Sequence, residues 1–405
     1  MNINMAKKVD YWLGIPLCFI LSGLNSILKL IPTKKIKTSA PDKILFIKLA
    51  ELGAIILSYP LLERVKKEYP SAKLFYLTFA ANKDIFNLLD KIIPKERIIL
   101  IRENSLFHFV FDTLRAISRL HKADLDIIFD LEFFSRFTSI LTYLIGAKKR
   151  AGFYPYAFEG LYRGNLLTHK IQFNPLSHIT KTYLSMFQGS KKNTMCSPEL
   201  NQAQNDAIYF PKYTSSPEIR KRILCKLNDL GIKTGNKLFL VNIGEGLLPL
   251  REWPTSNFFA LAELILKDEN NCIIAIGTLD ALKTTKIMID ALNNPRCINL
   301  VNKTELSELA ELFSFAEALI CNDCGLAHLA MLSSTKTFVI FGPESPQVFR
   351  PLNQNIQVIY SNWPCSPCLS VFNHRNSACR DNLCLKIIEP QDLYNFIFPN
   401  TSIKD

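Results

Sequence analysis

An asparagine and an aspartate close an apolar run (residues 318–320), and a Cys-Gly pair follows them: Asn322, Asp323, Cys324, Gly325. That order suits an anion. A helix opening at Gly325, with Leu326, Ala327, Leu329, Ala330 and Leu332 as apolar positions and His328 among them, offers unpaired backbone N–H groups to a phosphate. Asn322 and Asp323 then fall at the carboxyl end of a strand, where open α/β sheets hold ligands. The next apolar run (337–341) ends in Gly342-Pro343, a turn predicted to let backbone approach a ligand closely. A second constellation is Cys365, Cys368, Cys379 and Cys384, spaced C-x2-C-x10-C-x4-C with His374 inside the loop. This spacing suits a structural zinc or a cluster, a disulfide, or reduced thiols in a loop.

The elements that must position these residues alternate along the chain. Short apolar runs at 43–49, 73–78, 97–101, 125–131, 238–243, 272–276 and 297–301 are predicted strands, with helices at 81–89, 106–121, 217–230, 256–266 and 305–315. The alternation predicts α/β domains with parallel sheets. A length of 405 residues allows two. Residues 41–188 and 217–405 are the predicted domains, and the polar, Pro-bearing stretch 189–216 is the linker. The net charge of +12 suits an anionic lipid or a phosphorylated sugar. No aromatic and Arg-rich RNA signature, helix-turn-helix or zinc-finger pattern is present, so nucleic acid is excluded as a partner. Eleven cysteines, an odd number, without a cleavable signal point to a reducing compartment.

Residues 1–40 form a leader. Residues 11–28 carry no charge and are flanked by Lys7, Lys8 and Asp10 on one side and Lys29, Lys34, Lys35 and Lys37 on the other. Gly14, Pro16, Ser22, Gly23, Asn25 and Ser26 weaken it as a span. Tyr11, Trp12 and the lysines favour a segment lying in the membrane interface, with a true span and a soluble helical hairpin as the alternatives. The lysines then face anionic headgroups, and the expected location is the cytoplasmic face of the inner membrane, peripherally bound.

The pattern D-x-G-x-x-H-L-A at 323–330, followed by F-G-P at 341–343, resembles the nucleotide-sugar site of glycosyltransferase family 9, which contains the ADP-heptose:lipopolysaccharide heptosyltransferases. The resemblance places the donor diphosphate on the backbone of Cys324, Gly325 and Leu326, with Cys324 where the family usually has Thr. The run KLAELGAIILSYPLL (48–62) is similar to the family's amino-terminal motif through Lys48, Leu52, Gly53 and Pro60. Where that motif carries its catalytic Asp, this chain has Ala54, which cannot accept a proton. Glu51 is the nearest carboxylate in the turn and is the expected base. Asp130, Glu132, Arg136 and the run KKRAGFY (148–154) resemble a second block, which implies that Lys48, Glu132, Arg136, Lys149 and Arg150 face the acceptor. Arg251, two residues before Trp253-Pro254, matches a basic residue on the donor phosphate, and Asp280 matches an acid on the ribose. The resemblance implies a GT-B architecture of two Rossmann-like domains facing a cleft, inverting transfer without a required metal, ADP-heptose or another nucleotide sugar as donor, and a lipid-linked saccharide as acceptor. Ala54 and Cys324 favour the rival, a non-catalytic nucleotide-sugar or lipid-binding homologue; a different sugar is the other rival.

Overall fold

The computed structural model describes residues 3–30, 40–89, 92–156, 159–191, 208–244 and 248–399. The chain forms two compact units, one ending at Tyr209 and the other beginning at Phe210.

The first unit is built on β1 (Lys43–Ile47), β2 (Lys73–Phe79), β3 (Ile98–Ile101), β4 (Ile127–Asp130), β5 (Lys149–Phe153) and β6 (His169–Ile171). All neighbours pair in parallel, in the order β3-β2-β1-β4-β5-β6. Residues 44–47 of β1 are buried throughout, as a strand covered by helices on both faces must be. The second unit has β7 (Lys237–Asn242), β8 (Asn271–Ala275), β9 (Cys297–Asn299), β10 (Ala316–Asn322), β11 (Lys336–Phe341) and β12 (Ile356–Tyr360). Its order is β12-β11-β10-β7-β8-β9, again all parallel. Counted within its own unit, each sheet places its first strand beside its fourth. That is the doubly wound Rossmann order, and it puts a topological switch point at β1/β4 and at β7/β10. The α/β, GT-B class read from the sequence is the fold observed.

Three local expectations change. Residues 80–87 form a 3-10 helix instead of an α-helix. Residues 149–153, read as a basic patch, are strand β5, with Ala151, Gly152 and Phe153 buried beside β4. Within the predicted linker, the helix Ile179–Lys191 runs through residues 189–191 and residues 192–207 lie outside the described part.

The leader is one near-continuous helix, α1 (Ile3–Trp12) and α2 (Gly14–Leu28), joined at Leu13 in helical conformation with Leu13 N–H bonded to Val9 O at 3.0 Å and Leu17 N–H to Leu13 O at 3.2 Å, and it packs on α6 (Arg136–Ile145) of the first unit. Lys34, Lys35 and Lys37 lie outside the described residues. Asp10 accepts from the backbone N–H of Phe137 at 2.8 Å and pairs with the Arg136 guanidinium at 3.3 Å. A carboxylate at the amino end of α6 satisfies N–H groups that the helix leaves open. Asn25 Nδ2 donates to Asn165 O at 2.9 Å, and the Asn165 N–H donates to Ser22 Oγ at 2.7 Å. Gly164, at φ +74°, lets its backbone meet Cys18 and Ser22, since an ideal Cβ there would lie 2.7 Å from Ser22 Oγ.

Candidate active site

In the first unit the turn after β1 delivers Lys48 and Glu51, and the turn after β4 delivers Glu132. Lys48 is fully buried, and its Nζ donates to Glu51 Oε2 and to Glu132 Oε2, both at 2.9 Å. Glu132 Oε1 also accepts the backbone N–H of Leu49 at 2.7 Å and of Ala50 at 3.3 Å, so this carboxylate fastens the β1 turn to β4. Glu51 is the more open of the two carboxylates: its side chain is 33% exposed against 14% for Glu132. Its backbone sits at φ +69°, ψ +89°, the left-handed side of the map, just before the helix Leu52–Leu57. Such a conformation in a non-glycine residue costs on the order of 1–3 kcal/mol and concentrates at functional turns. The turn is held from the other side, where Leu49 O accepts from Asn82 Nδ2 at 2.9 Å and Thr78 Oγ1 at 3.2 Å.

Arg136 and Arg150, expected to face an acceptor, are committed internally. Arg136 is buried and donates to Gly160 O at 2.9 Å besides pairing with Asp10. Arg150 donates to Leu166 O at 2.9 Å and Ala147 O at 2.8 Å, and burial pulls its pKa below the usual arginine range. Arg163, on the loop 154–168 that its aromatic, Gly and Arg content suggests to be mobile or acceptor-facing, is instead fully buried and paired with the equally buried Asp130, which also accepts from Thr138 Oγ1 at 3.0 Å. Burial raises the Asp130 pKa, and the Arg163 charge works against that rise.

In the second unit the residues around β7 and β10 form a charged network. Arg251 Nη1 lies 3.2 Å from Asp323 Oδ2 and 3.5 Å from Glu344 Oε2. Glu344 in turn pairs with Arg375 Nε at 2.7 Å. Both carboxylates are nearly buried. Burial raises the Asp323 pKa, with Arg251 opposing, and burial also lowers the Arg375 pKa to about 10. The sequence signalled Arg251 and Asp323. It gave no sign of Glu344 or Arg375, because neither belongs to a motif.

Cys324 is the N-cap of the short helix Gly325–Ala330. Its thiol is held below the usual cysteine range, chiefly by a hydrogen bond from the Cys321 thiol and, against the effect of burial, by the backbone N–H of Ala327, the Asn242 amide and the backbone N–H of Leu326. Asn242 Nδ2 lies 3.2 Å from the sulfur. The Asn242 amide thus points to the position where the sequence predicts an anion. His328 is buried behind this turn. Asp280 is exposed and accepts from Thr278 Oγ1 in the turn after β8. That turn meets the end of β7 closely: an ideal Cβ on Gly277, at φ +147°, would lie 2.8 Å from Asn242 Oδ1.

Two expected ligand contacts are structural instead. Asn322 is fully buried, its Oδ1 accepting the Trp253 N–H at 2.9 Å and its Nδ2 donating to Ile243 O at 2.6 Å. It pins the Trp253 turn, and with it Arg251, to the strand ends. Gly342 makes room for a side chain: an ideal Cβ there would stand 2.5 Å from Leu385 Cγ. Cys365, Cys368, Cys379 and Cys384 are free thiols, and among the described residues no group of three or more His, Cys, Asp or Glu side chains is arranged to hold a metal ion. Cys379 Sγ instead lies 3.1 Å from Asp381 O, and Ser377 Oγ donates to Cys368 Sγ at 3.4 Å.

Comparison with known proteins gives these sites a context. A lipooligosaccharide heptosyltransferase 2 of Campylobacter jejuni is 26% identical over 166 residues, 40% of this chain and 51% of the relative. A lipopolysaccharide heptosyltransferase 2 of Escherichia coli is 28% identical over 114 residues, 27% of this chain and 32% of the relative. The chain thus spans about half the length, or less, of these curated relatives. Its fold is similar to that of the E. coli ADP-heptose LPS heptosyltransferase II, with a TM-score of 0.67 and 18% identity over 88% of this chain and 98% of that one. A family 9 glycosyl transferase of Veillonella parvula gives a TM-score of 0.67 and 16% identity over 89% and 98%. The model of glycosyltransferase family 9 (heptosyltransferase) matches residues 114–377, well over half of the sequence, and the chain belongs to that family.

Proposed function

We propose that this protein is a glycosyltransferase that moves a heptose from ADP-heptose onto a lipid-linked saccharide of the lipopolysaccharide-core type, with inversion and without a required metal. The observation that carries the reading is the Cys324 turn, which opens the helix Gly325–Ala330 at the β10 end with the Asn242 amide 3.2 Å from the Cys324 sulfur. Arg251 and Asp280 stand on the turns that follow β7 and β8. The E. coli relative is named for ADP-heptose, which supports that donor.

In this reading Glu51 takes the acceptor hydroxyl proton as that oxygen bonds to the anomeric carbon, and the bond from that carbon to the diphosphate breaks. The diphosphate leaves with its charge met by Arg251 and the Cys324 turn. Lys48 orients Glu51, and Glu132 fixes Lys48 and the turn. The protein works at the cytoplasmic face of the inner membrane, held there by its leader.

The test is Glu51→Gln. Turnover with ADP-heptose and a core-type acceptor should fall about 10²- to 10⁴-fold, the range of a lost general base, while calorimetry gives an unchanged ADP affinity. A variant with full turnover removes Glu51 from the reaction. Binding of UDP in preference to ADP replaces the donor.

A further inference from the structure

We infer that the α1/α2 leader helix and the helix α5 (Leu106–Lys122) together form one monotopic surface for an anionic bilayer. The inference extends the membrane part of the reading above to an element that no motif marks. The leader helix is inverted relative to a soluble surface helix. Its polar and small residues (Asp10, Gly14, Ser22, Asn25) face the first unit, where they are hydrogen-bonded or closely packed. Its large apolar residues face outward: Trp12 is 73% exposed and Phe19 72%, and Leu13, Ile20, Ile27 and Leu28 are exposed with them.

The stretch 7–28 is long and apolar enough to cross a membrane. Crossing would strip Asp10 and Asn25 of partners that lie on α6 and at Asn165, and buried polar groups without partners are costly. A helix lying flat keeps those partners and gives its apolar side to lipid.

The helix α5 repeats the arrangement. Leu106, Phe107, Val110, Phe111 and Leu114 recur at helical spacing and are all exposed, Phe107 at 75%. The Phe107 and Phe111 rings stack on each other, 6.2 Å apart. Both the leader helix and α5 pack against α6, whose own Leu144 is exposed. Exposed cations lie near the apolar residues in sequence: Lys8 and Lys29 in the leader, Arg115 and Lys122 on α5. Apolar side chains accompanied by lysine and arginine, with Trp12 and Tyr11 at one end, match a phospholipid surface of negative charge.

Flotation of the full-length protein with phosphatidylglycerol-rich and with pure phosphatidylcholine vesicles tests this. The protein should bind the anionic vesicles, less so at high salt. Phe19→Asp/Ile20→Asp and Phe107→Asp/Phe111→Asp should each lower the partition coefficient about tenfold or more, with wild-type melting and with Phe107→Leu/Phe111→Leu retaining binding. A Phe107→Asp/Phe111→Asp protein that floats like wild type overturns the inference. So does a dimer that these aspartates dissociate while vesicle binding is unchanged, since the occupant is then a second copy. Turnover on a detergent-dispersed acceptor reads the transfer reaction separately. Its absence from the unsubstituted protein counts against the transferase and leaves the vesicle result standing.

Discussion

Asp323→Asn should change the pH dependence of ADP binding in a direction the structure specifies. Arg251 pairs with Asp323 and Glu344, and Glu344 with Arg375, so a diphosphate that Arg251 meets also comes near the Asp323 carboxylate. A bound diphosphate about 5 Å from Asp323 repels its carboxylate by about 3 kcal/mol at an effective dielectric of about 20, equivalent to about two pH units. Arg251 is partly open to solvent, which about halves that figure. Burial already raises the Asp323 pKa, and the ligand raises it further. Binding between the free and bound pKa values therefore takes up a proton, so affinity weakens as pH rises through that window. Calorimetry across a pH series, in two phosphate-free buffers of different ionisation enthalpy, should show buffer-dependent enthalpies for the wild type within that window, corresponding to uptake of up to about one proton. Asp323→Asn should abolish this linkage and bind ADP about tenfold tighter than wild type above the window, with near equality below it. Identical enthalpies in both buffers, together with an unchanged pH profile in the variant, would refute a diphosphate beside Asp323.

Removal of Arg163 leaves Asp130 buried without its cation, and Arg163→Met should cost about 3–5 kcal/mol in urea unfolding. An acid whose folded pKa lies above its unfolded value loses stability as pH rises between the two, so the deficit should be larger at pH 8 than at pH 5, and Asp130→Asn/Arg163→Met should recover part of it; a deficit independent of pH would count against the buried pair. Gly342→Ala should destabilise by about 1–3 kcal/mol through overpacking against Leu385, less than additively with Leu385→Ala. A fall in ADP affinity at unchanged melting temperature would return Gly342 to the ligand.

Most of the sheet architecture was legible because a parallel sheet writes itself as continuous apolar runs such as Ile44–Ile47, which stand out against amphipathic helices. Strand β5 was not, since Lys149 and Arg150 precede its buried half and read as a charged patch. The edge strands β6 and β12 lack the full burial that marks central ones. Within the candidate site, Arg251, Asp323 and the Cys324 turn follow from motif and strand-end position. The roles of Asn322 and Gly342 do not, because an amide that bonds to backbone and one that bonds to a ligand have the same sequence signature. Glu344 and Arg375 were invisible for another reason: they meet only through tertiary packing, 31 positions apart.

The leader's hydrogen bonds reach across more than 120 residues, from Asp10 to Ser135 and from Ser22 to Asn165. A ribosome adding roughly 5–20 residues per second makes the leader helix well before it makes α6 and the Asn165 turn. For on the order of ten seconds the polar side of that helix has no protein to bond to, while its apolar side is already complete. Under the membrane reading proposed above, the order of synthesis favours a nascent chain that meets lipid first and docks its own domain second.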